Sequence, residues 1–222
     1  MRLRWRHIIF DLDGTLVDTV EDIAAALNHA LVRFGLAPRS VDAVREMVGE
    51  GARRLVEQAL PNADEQTREQ VLQAFLESYR ANPVVHSRLY PCVQELLQKL
   101  KEHGGVATVL TNKPFDLSEE ILRRLGLSEL VGVVCGGDTL PQRKPDPAGV
   151  FYLCERVGRG IGDTLLVGDS GIDRMTATRA GVAFCAALWG YRPAELTGEG
   201  LVAQSPGDLA GLVFLANAGS VN

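Results

Sequence analysis

Five short apolar runs, rich in β-branched residues, punctuate the chain: HIIF (7–10), VATVL (106–110), VGVVC (131–135), TLLVG (164–168) and VAFCAAL (182–188). They are continuous rather than alternating, which is the pattern of strands buried on both faces of a parallel sheet. Helical periodicity fills the gaps. The segment at 90–105 places Val93, Leu96, Leu97 and Leu100 on one face, with Pro91 suited to a first turn and Gly104–Gly105 as a stop. The segment at 115–126 sets Glu119 three residues after Asp116, in the manner of a capping box, and ends on Gly126. From about residue 88 onward the alternation of strand and helix predicts a Rossmann-like α/β core with helices on both faces of a parallel sheet.

Residues 17–87 break the rhythm. They hold no strand-like run and show helical spacing at Val20, Ile23, Leu27, Leu31 and Phe34, then at Val71, Leu72, Phe75, Leu76 and Tyr79. Gly, Pro, Asn and Asp interrupt the pattern at 35–40, 49–51 and 60–64. The expectation is a helical domain of residues 17–87 inserted after the first strand of a core made of 1–16 and 88–222. Hinges are expected near Asp18–Thr19 and Val84–Leu89, and a frayed tail at 217–222.

Composition narrows the function classes. The 222 residues are 46% hydrophobic, enough for a sizeable core. Lys and Arg number 23 against 28 Asp and Glu, a net charge of −5, which gives no general attraction for nucleic acid. Cys92, Cys135, Cys154 and Cys185 show no metal-site spacing and read as buried reduced thiols. No apolar run reaches the roughly 18 residues of a membrane span, and the run after the basic start is too short for a signal-peptide core. A cytoplasmic protein without membrane or nucleic-acid partners is expected.

The chemistry lies where strands end. DLDGT (11–15) follows the first strand, and continued extension would point Asp11 and Asp13 to one side. Clustered carboxylates repel unless they share a cation, and carboxylate oxygens with waters and a phosphate suit Mg²⁺. Thr111, Asn112 and Lys113 follow the second strand, Asp169 and Asp173 follow the fourth, and Lys144 precedes a helix expected to begin near Pro147. Each piece alone has a plain structural reading: a turn, a helix cap, a solvated lysine. Their occurrence together, each at a strand end facing one crevice, is the equipment for moving a phosphoryl group.

These segments, DLDGT (11–15), LTN (110–112), Lys144 in RKPDP and GDSGID (168–173), resemble the motifs of the haloacid dehalogenase (HAD) superfamily, specifically its phosphoglycolate phosphatase-like branch. The likeness spans nearly the whole chain and includes WGYRP (189–193). The resemblance implies an Mg²⁺-dependent phosphomonoester hydrolase with the HAD fold. In it Asp11 is the nucleophile that becomes an aspartyl phosphate, and Asp13 is the general acid and base. It further implies that Asp11, the Asp13 main-chain carbonyl and Asp169 hold the metal, with Asp173 ordering the metal shell or Lys144. Thr111, the Asn112 main chain and Lys144 would hold the phosphoryl oxygens, and the insert would be the cap that selects a small phosphorylated metabolite.

Among such relatives, a second carboxylate at Asp13 favours phosphate chemistry over dehalogenation, and the lack of lysine in 17–87 disfavours imine-forming phosphonate cleavage. A sugar phosphate phosphatase or phosphomutase stays open, as does monomer or homodimer. A non-catalytic ligand-binding module would have lost one of Asp11, Asp13, Lys144 or Asp169, and none is missing. In the segment 48–55, Arg53 and Arg54 either lie on a solvated helix face or offer a guanidinium to a small carboxylate, with Arg53 the candidate for the carboxylate of 2-phosphoglycolate.

Overall fold

All five apolar runs form strands in the computed structural model, which describes residues 2–196, 198 and 200–215. The chain runs through β1 (Arg2–Leu3), β2 (His7–Phe10), β3 (Val17–Asp18), α1 (Val20–Arg33), α2 (Val41–Arg45), α3 (Ala52–Ala59), α4 (Glu65–Ala81) and β4 (Arg88–Leu89). It continues through α5 (Val93–Glu102), β5 (Val106–Leu110), α6 (Phe115–Arg124), β6 (Val131–Cys135), α7 (Ala148–Val157), β7 (Thr164–Gly168), α8 (Gly171–Ala180), β8 (Ala183–Ala187), β9 (Leu201–Ala203), α9 (Pro206–Val213) and β10 (Phe214–Leu215). The tail expected at 217–222 lies outside the described residues.

Six strands make one sheet in the order β6-β5-β2-β7-β8-β9, and every neighbouring pair is parallel. The fold is the expected α/β one. Successive side chains of a strand leave opposite faces, and the core divides accordingly. Ile8, Phe10, Val109, Leu165 and Val167 enter one apolar cluster with α5, α6 and α9, whereas Ile9, Leu110 and Leu166 enter another with α7 and α8. The first cluster continues without a break into α1, α3 and α4 through Ile23, Leu27, Leu31, Leu55, Val71 and Phe75. The strand order turns at β2, which has β5 on one side and β7 on the other, so the carboxyl ends of these three strands flank a single crevice.

Local details depart from the expectations at three points. Pro91 stands outside its helix, because Cys92 takes a left-handed φ of 67° and α5 starts only at Val93. Asp116 does not cap α6; it sits in the first turn and pairs with Arg80 at 2.6 Å, while the Phe115 amide donates to Asp138 Oδ1 at 2.7 Å. Cys92 is exposed, unlike the other three thiols.

Both passages of chain between the sheet and α1–α4 run side by side. β3 and β4 pair antiparallel, Val17 with Leu89 and Asp18 with Arg88. A buried carboxylate secures the second passage: Asp22 accepts from the amides of Val85, His86 and Ser87 and from the Ser87 hydroxyl, at 2.6–3.1 Å. Burial alone would raise the Asp22 pKa, but these donors outweigh it and hold it below the usual value. Its stabilisation is therefore present above the unfolded-chain value near 4 and fades as the pH falls. Asp22→Ala should cost roughly 3 kcal/mol at pH 7, because three amides lose their acceptor, and urea denaturation at pH 7 and pH 3 should show the deficit shrinking at the lower pH.

Candidate active site

The chain leaves β2 at Phe10, and Leu12 O then accepts from the amides of Thr15, Leu16 and Val17 to form a tight turn. Gly14 takes a φ of +80° there, and a Cβ on it would fall 2.2 Å from Asp169 Oδ2. No larger residue fits. A Cβ on Gly190 would likewise meet Asp169 Cβ at 2.2 Å, so the backbone closes around this carboxylate from two sides.

This turn separates the first two acids. Asp11, Asp169 and Asp173, all buried, bring carboxylate oxygens within 4.8 Å of one another. Asp13 instead turns toward Lys113, whose Nζ lies 2.9 Å from both of its oxygens, and accepts from the Thr19 hydroxyl at 2.5 Å. The two carboxylates thus share one cavity wall but not one partner. The simple strand period misplaced Asp13 because the chain stops being a strand one residue before Asp11.

Lys144 Nζ contacts Asp11 Oδ1 at 2.9 Å and Asp173 Oδ1 at 2.7 Å. Asp173 is held from behind by Ser170, whose hydroxyl and amide both donate to Oδ2 in the capping box of α8. Asp11 Oδ1 also accepts from the Leu12 amide at 2.7 Å, which leaves Oδ2 without a hydrogen bond among the described residues. Thr111 is buried at the end of β5. Asn112 donates through Nδ2 to Gly49 O at 3.0 Å and Lys144 O at 3.1 Å, while its buried Oδ1 has no partner.

Charge balance shows what the cluster lacks. Three carboxylates less one ammonium leave two negative charges in a buried volume. Burial, opposed by Lys144 and aided by Asp173, pushes Asp11 up to about 7. Burial followed by repulsion from Asp11 and Asp173 raises Asp169 well above the usual carboxylate range. Burial alone would lower Lys144, yet Asp11 and Asp173 hold it above its usual value and keep it charged. An all-oxygen donor set with a net deficit of two positive charges fits a hard divalent cation.

Two further links were not assigned from the sequence. Tyr191 donates its amide to Asp169 Oδ2 at 2.6 Å, while its hydroxyl donates to Asp18 and accepts from the amides of Thr19 and Val20. Arg192 donates to the carbonyls of Glu46 and Val48, the second of which lines the cavity. Their only signal was membership in WGYRP, since Tyr191 follows no periodic pattern. Arg53 is not brought to the site. It is half exposed and pairs with Glu65 and Glu69 at 3.1 and 2.7 Å, because the cavity-facing stripe of α3 carries Ala52 and Leu55 instead.

A parallel sheet whose switch point gathers an open carboxylate oxygen, an acid cluster that fits a divalent cation and a buried ammonium has the groups a hydrolase of charged esters needs. A family model described as haloacid dehalogenase-like hydrolase matches residues 8–187. The phosphoglycolate phosphatase of Aquifex aeolicus is 39% identical over 186 residues, covering 84% of this chain and 86% of the relative. That of Xanthomonas campestris pv. campestris is 36% identical over 206 residues, covering 90% and 93%. Among solved structures, a predicted phosphoglycolate phosphatase from Haemophilus somnus superimposes with a TM-score of 0.87 at 33% identity over 94% of this chain and 97% of that one. The chain belongs to the haloacid dehalogenase-like hydrolase family, and within it is a phosphatase. Among the described residues no helix is long and apolar enough to cross a membrane.

The raised acids give a signed prediction. Between pH 4 and about 7 the metal-free native state keeps protons on Asp11 that the unfolded chain has released, so its stability falls as the pH rises through this window. A divalent cation competes with those protons. Millimolar Mg²⁺ or Mn²⁺ should raise the melting temperature by several degrees at pH 8 and by much less at pH 5.5, as scanning calorimetry would show.

Proposed function

We propose that this phosphatase hydrolyses a small phosphomonoester, with 2-phosphoglycolate the first candidate, through an aspartyl phosphate on Asp11 and with Mg²⁺ as its metal. The observation that carries the reading is the opposite company of two neighbouring carboxylates. Asp11 belongs to the acid cluster and keeps one oxygen open, whereas Asp13 faces Lys113 and Thr19 across the same cavity. Environments that differ in this way let one carboxylate act as nucleophile and the other as acid and base.

In the first step Asp11 Oδ2 attacks phosphorus, the bond to the ester oxygen breaks, and Asp13 gives its proton to the departing alcohol. In the second, water attacks the same phosphorus, Asp13 takes a proton from it, and the bond to Asp11 breaks to release phosphate. Asp11, Asp169 and the Asp13 main-chain carbonyl would hold the Mg²⁺, which when bound neutralises charge on the phosphoryl oxygens and on the acid cluster. Asp173 keeps Lys144 aimed at Asp11. Thr111 and the backbone at Asn112, with Lys144, receive the phosphoryl oxygens. The segment 17–87 serves as the cap: Ile23, Val48, Leu55, Phe75 and Tyr79 supply one wall of the cavity and would exclude water during the first step. The substrate assignment draws on the activity named for the relatives, and the apolar cap wall with its few polar groups suits a small ester.

Asp11→Asn should lower phosphate release by at least about a thousandfold while circular dichroism and melting stay close to wild type. Appreciable activity in that variant, free of deamidation, would overturn the covalent route. Phosphate release with Mg²⁺ across 2-phosphoglycolate, hexose phosphates and nucleoside monophosphates assigns the substrate; a preference for a hexose phosphate would move the protein to the sugar phosphate branch.

A further inference from the structure

Among the described residues that line the cavity, Lys113 is the only cation. Its side chain is 4% exposed, and its ammonium reaches both oxygens of Asp13 and lies 4.6 Å from the centre of the Tyr79 ring. Burial alone would lower its pKa; Asp13 and Tyr79 outweigh burial and hold it above the usual lysine value, so the group is charged. The Tyr79 hydroxyl is buried in the same wall and makes no hydrogen bond of good geometry. The surrounding surface is apolar, formed by Ile23, Leu55, Phe75 and Leu117.

Lys113 and Lys144 are not equivalent. Lys144 spans two acids on the nucleophile side, whereas Lys113 has a single carboxylate and stands on the side of the cavity where the alcohol departs. An ester oxygen within hydrogen-bond reach of Asp13 places its attached carbon beside Lys113 and Tyr79. A carboxylate one carbon further on would meet the ammonium, which has three donors, and the Tyr79 phenol beside it. Arg53, which the sequence put forward for that task, is tied to Glu65 and Glu69, and the neighbouring Arg54 pairs with Glu50 and Glu57.

We propose that Lys113, together with the Tyr79 hydroxyl, binds a carboxylate on the leaving group and so selects phosphate esters of small hydroxy acids. The inference rests on the phosphatase reading above and assigns its specificity. A site that offers a buried cation and hydroxyl discriminates strongly against an analogue that leaves them unmet.

The test compares 2-phosphoglycolate with propyl phosphate, an ester of similar size that lacks the carboxylate, in the Mg²⁺-loaded full-length protein. Wild type should prefer 2-phosphoglycolate by about a hundredfold in kcat/KM. Lys113→Met should reduce that ratio at least tenfold, Tyr79→Phe should reduce it severalfold, and Lys113→Arg should retain most of it. Equal slowing of both esters in Lys113→Met would show that Lys113 only orients Asp13 and would sink the proposal, as would a wild-type enzyme without preference. Calorimetric binding of 3-phosphonopropionate against propylphosphonate gives an answer that needs neither turnover nor a folded variant. At least tenfold tighter binding of the carboxylate supports the proposal, and equal affinity overturns it. Hydrolysis of neither ester together with selective binding would fault the phosphatase reading while leaving the carboxylate site standing.

Discussion

Two uncancelled negative charges at the meeting point of three strand ends govern the architecture of this protein. Carboxylates do not gather in a buried place on their own account, since each raises the cost of ionising the next. Here the surrounding structure enforces the gathering. Parallel strands β5, β2 and β7 stop side by side, the turn at Gly14 and the approach of Gly190 leave no room for Asp169 to withdraw, and Ser170 pins Asp173 within the first turn of α8. Lys144 answers one charge and leaves the remainder for a divalent ion. The charge that remains on the acid cluster suits a hard divalent cation.

The helical segment is connected to this cluster by specific bonds as well as by apolar packing. Tyr191 bridges Asp169 to the entrance of α1, Thr19 at that entrance donates to Asp13, Arg192 holds the carbonyls of Glu46 and Val48, and Asn112 holds that of Gly49. The paired passages β3 and β4, with Asp22 gripping the second, bring both chain crossings to one edge. A movement of α1–α4 would therefore be felt at Asp13 and Asp169. This wiring gives WGYRP a physical role, because one short segment touches Asp169, the start of α1 and the carbonyls of Glu46 and Val48.

Much of this was legible in the sequence, and the reason is local. Continuous β-branched runs signal strands, so β2, β5, β6 and β7 were placed residue for residue, although β6, expected to be buried on both faces, is an edge strand and only partly covered. The short β9 and the two-residue strands gave no such signal, since three residues carry no period. The acids were found because each follows a strand end. Their division into two groups was not, because the alternation that related Asp11 to Asp13 ends at Phe10. Likewise the sequence pointed to Arg53 for a substrate carboxylate and gave Lys113 no such role, because the partners that distinguish the two cations are supplied only by the fold.

By itself, then, the sequence determined the parallel α/β core, the helical segment after the first strand, and the residues that would meet at the strand ends, because hydrophobic period and strand-terminal motifs are properties of neighbouring residues. Tertiary structure alone decided that Asp11, Asp169 and Asp173 gather around Lys144 while Asp13 faces Lys113, that Arg53 turns to Glu65 and Glu69, and that Lys113 and Tyr79 share a wall with Asp11. Among those pairings, Lys113 and Asp13 lie 100 positions apart in the chain. The pairings depend on the turn at Gly14, the crossover order of the sheet and the facing of α3 and α4, which no local pattern encodes.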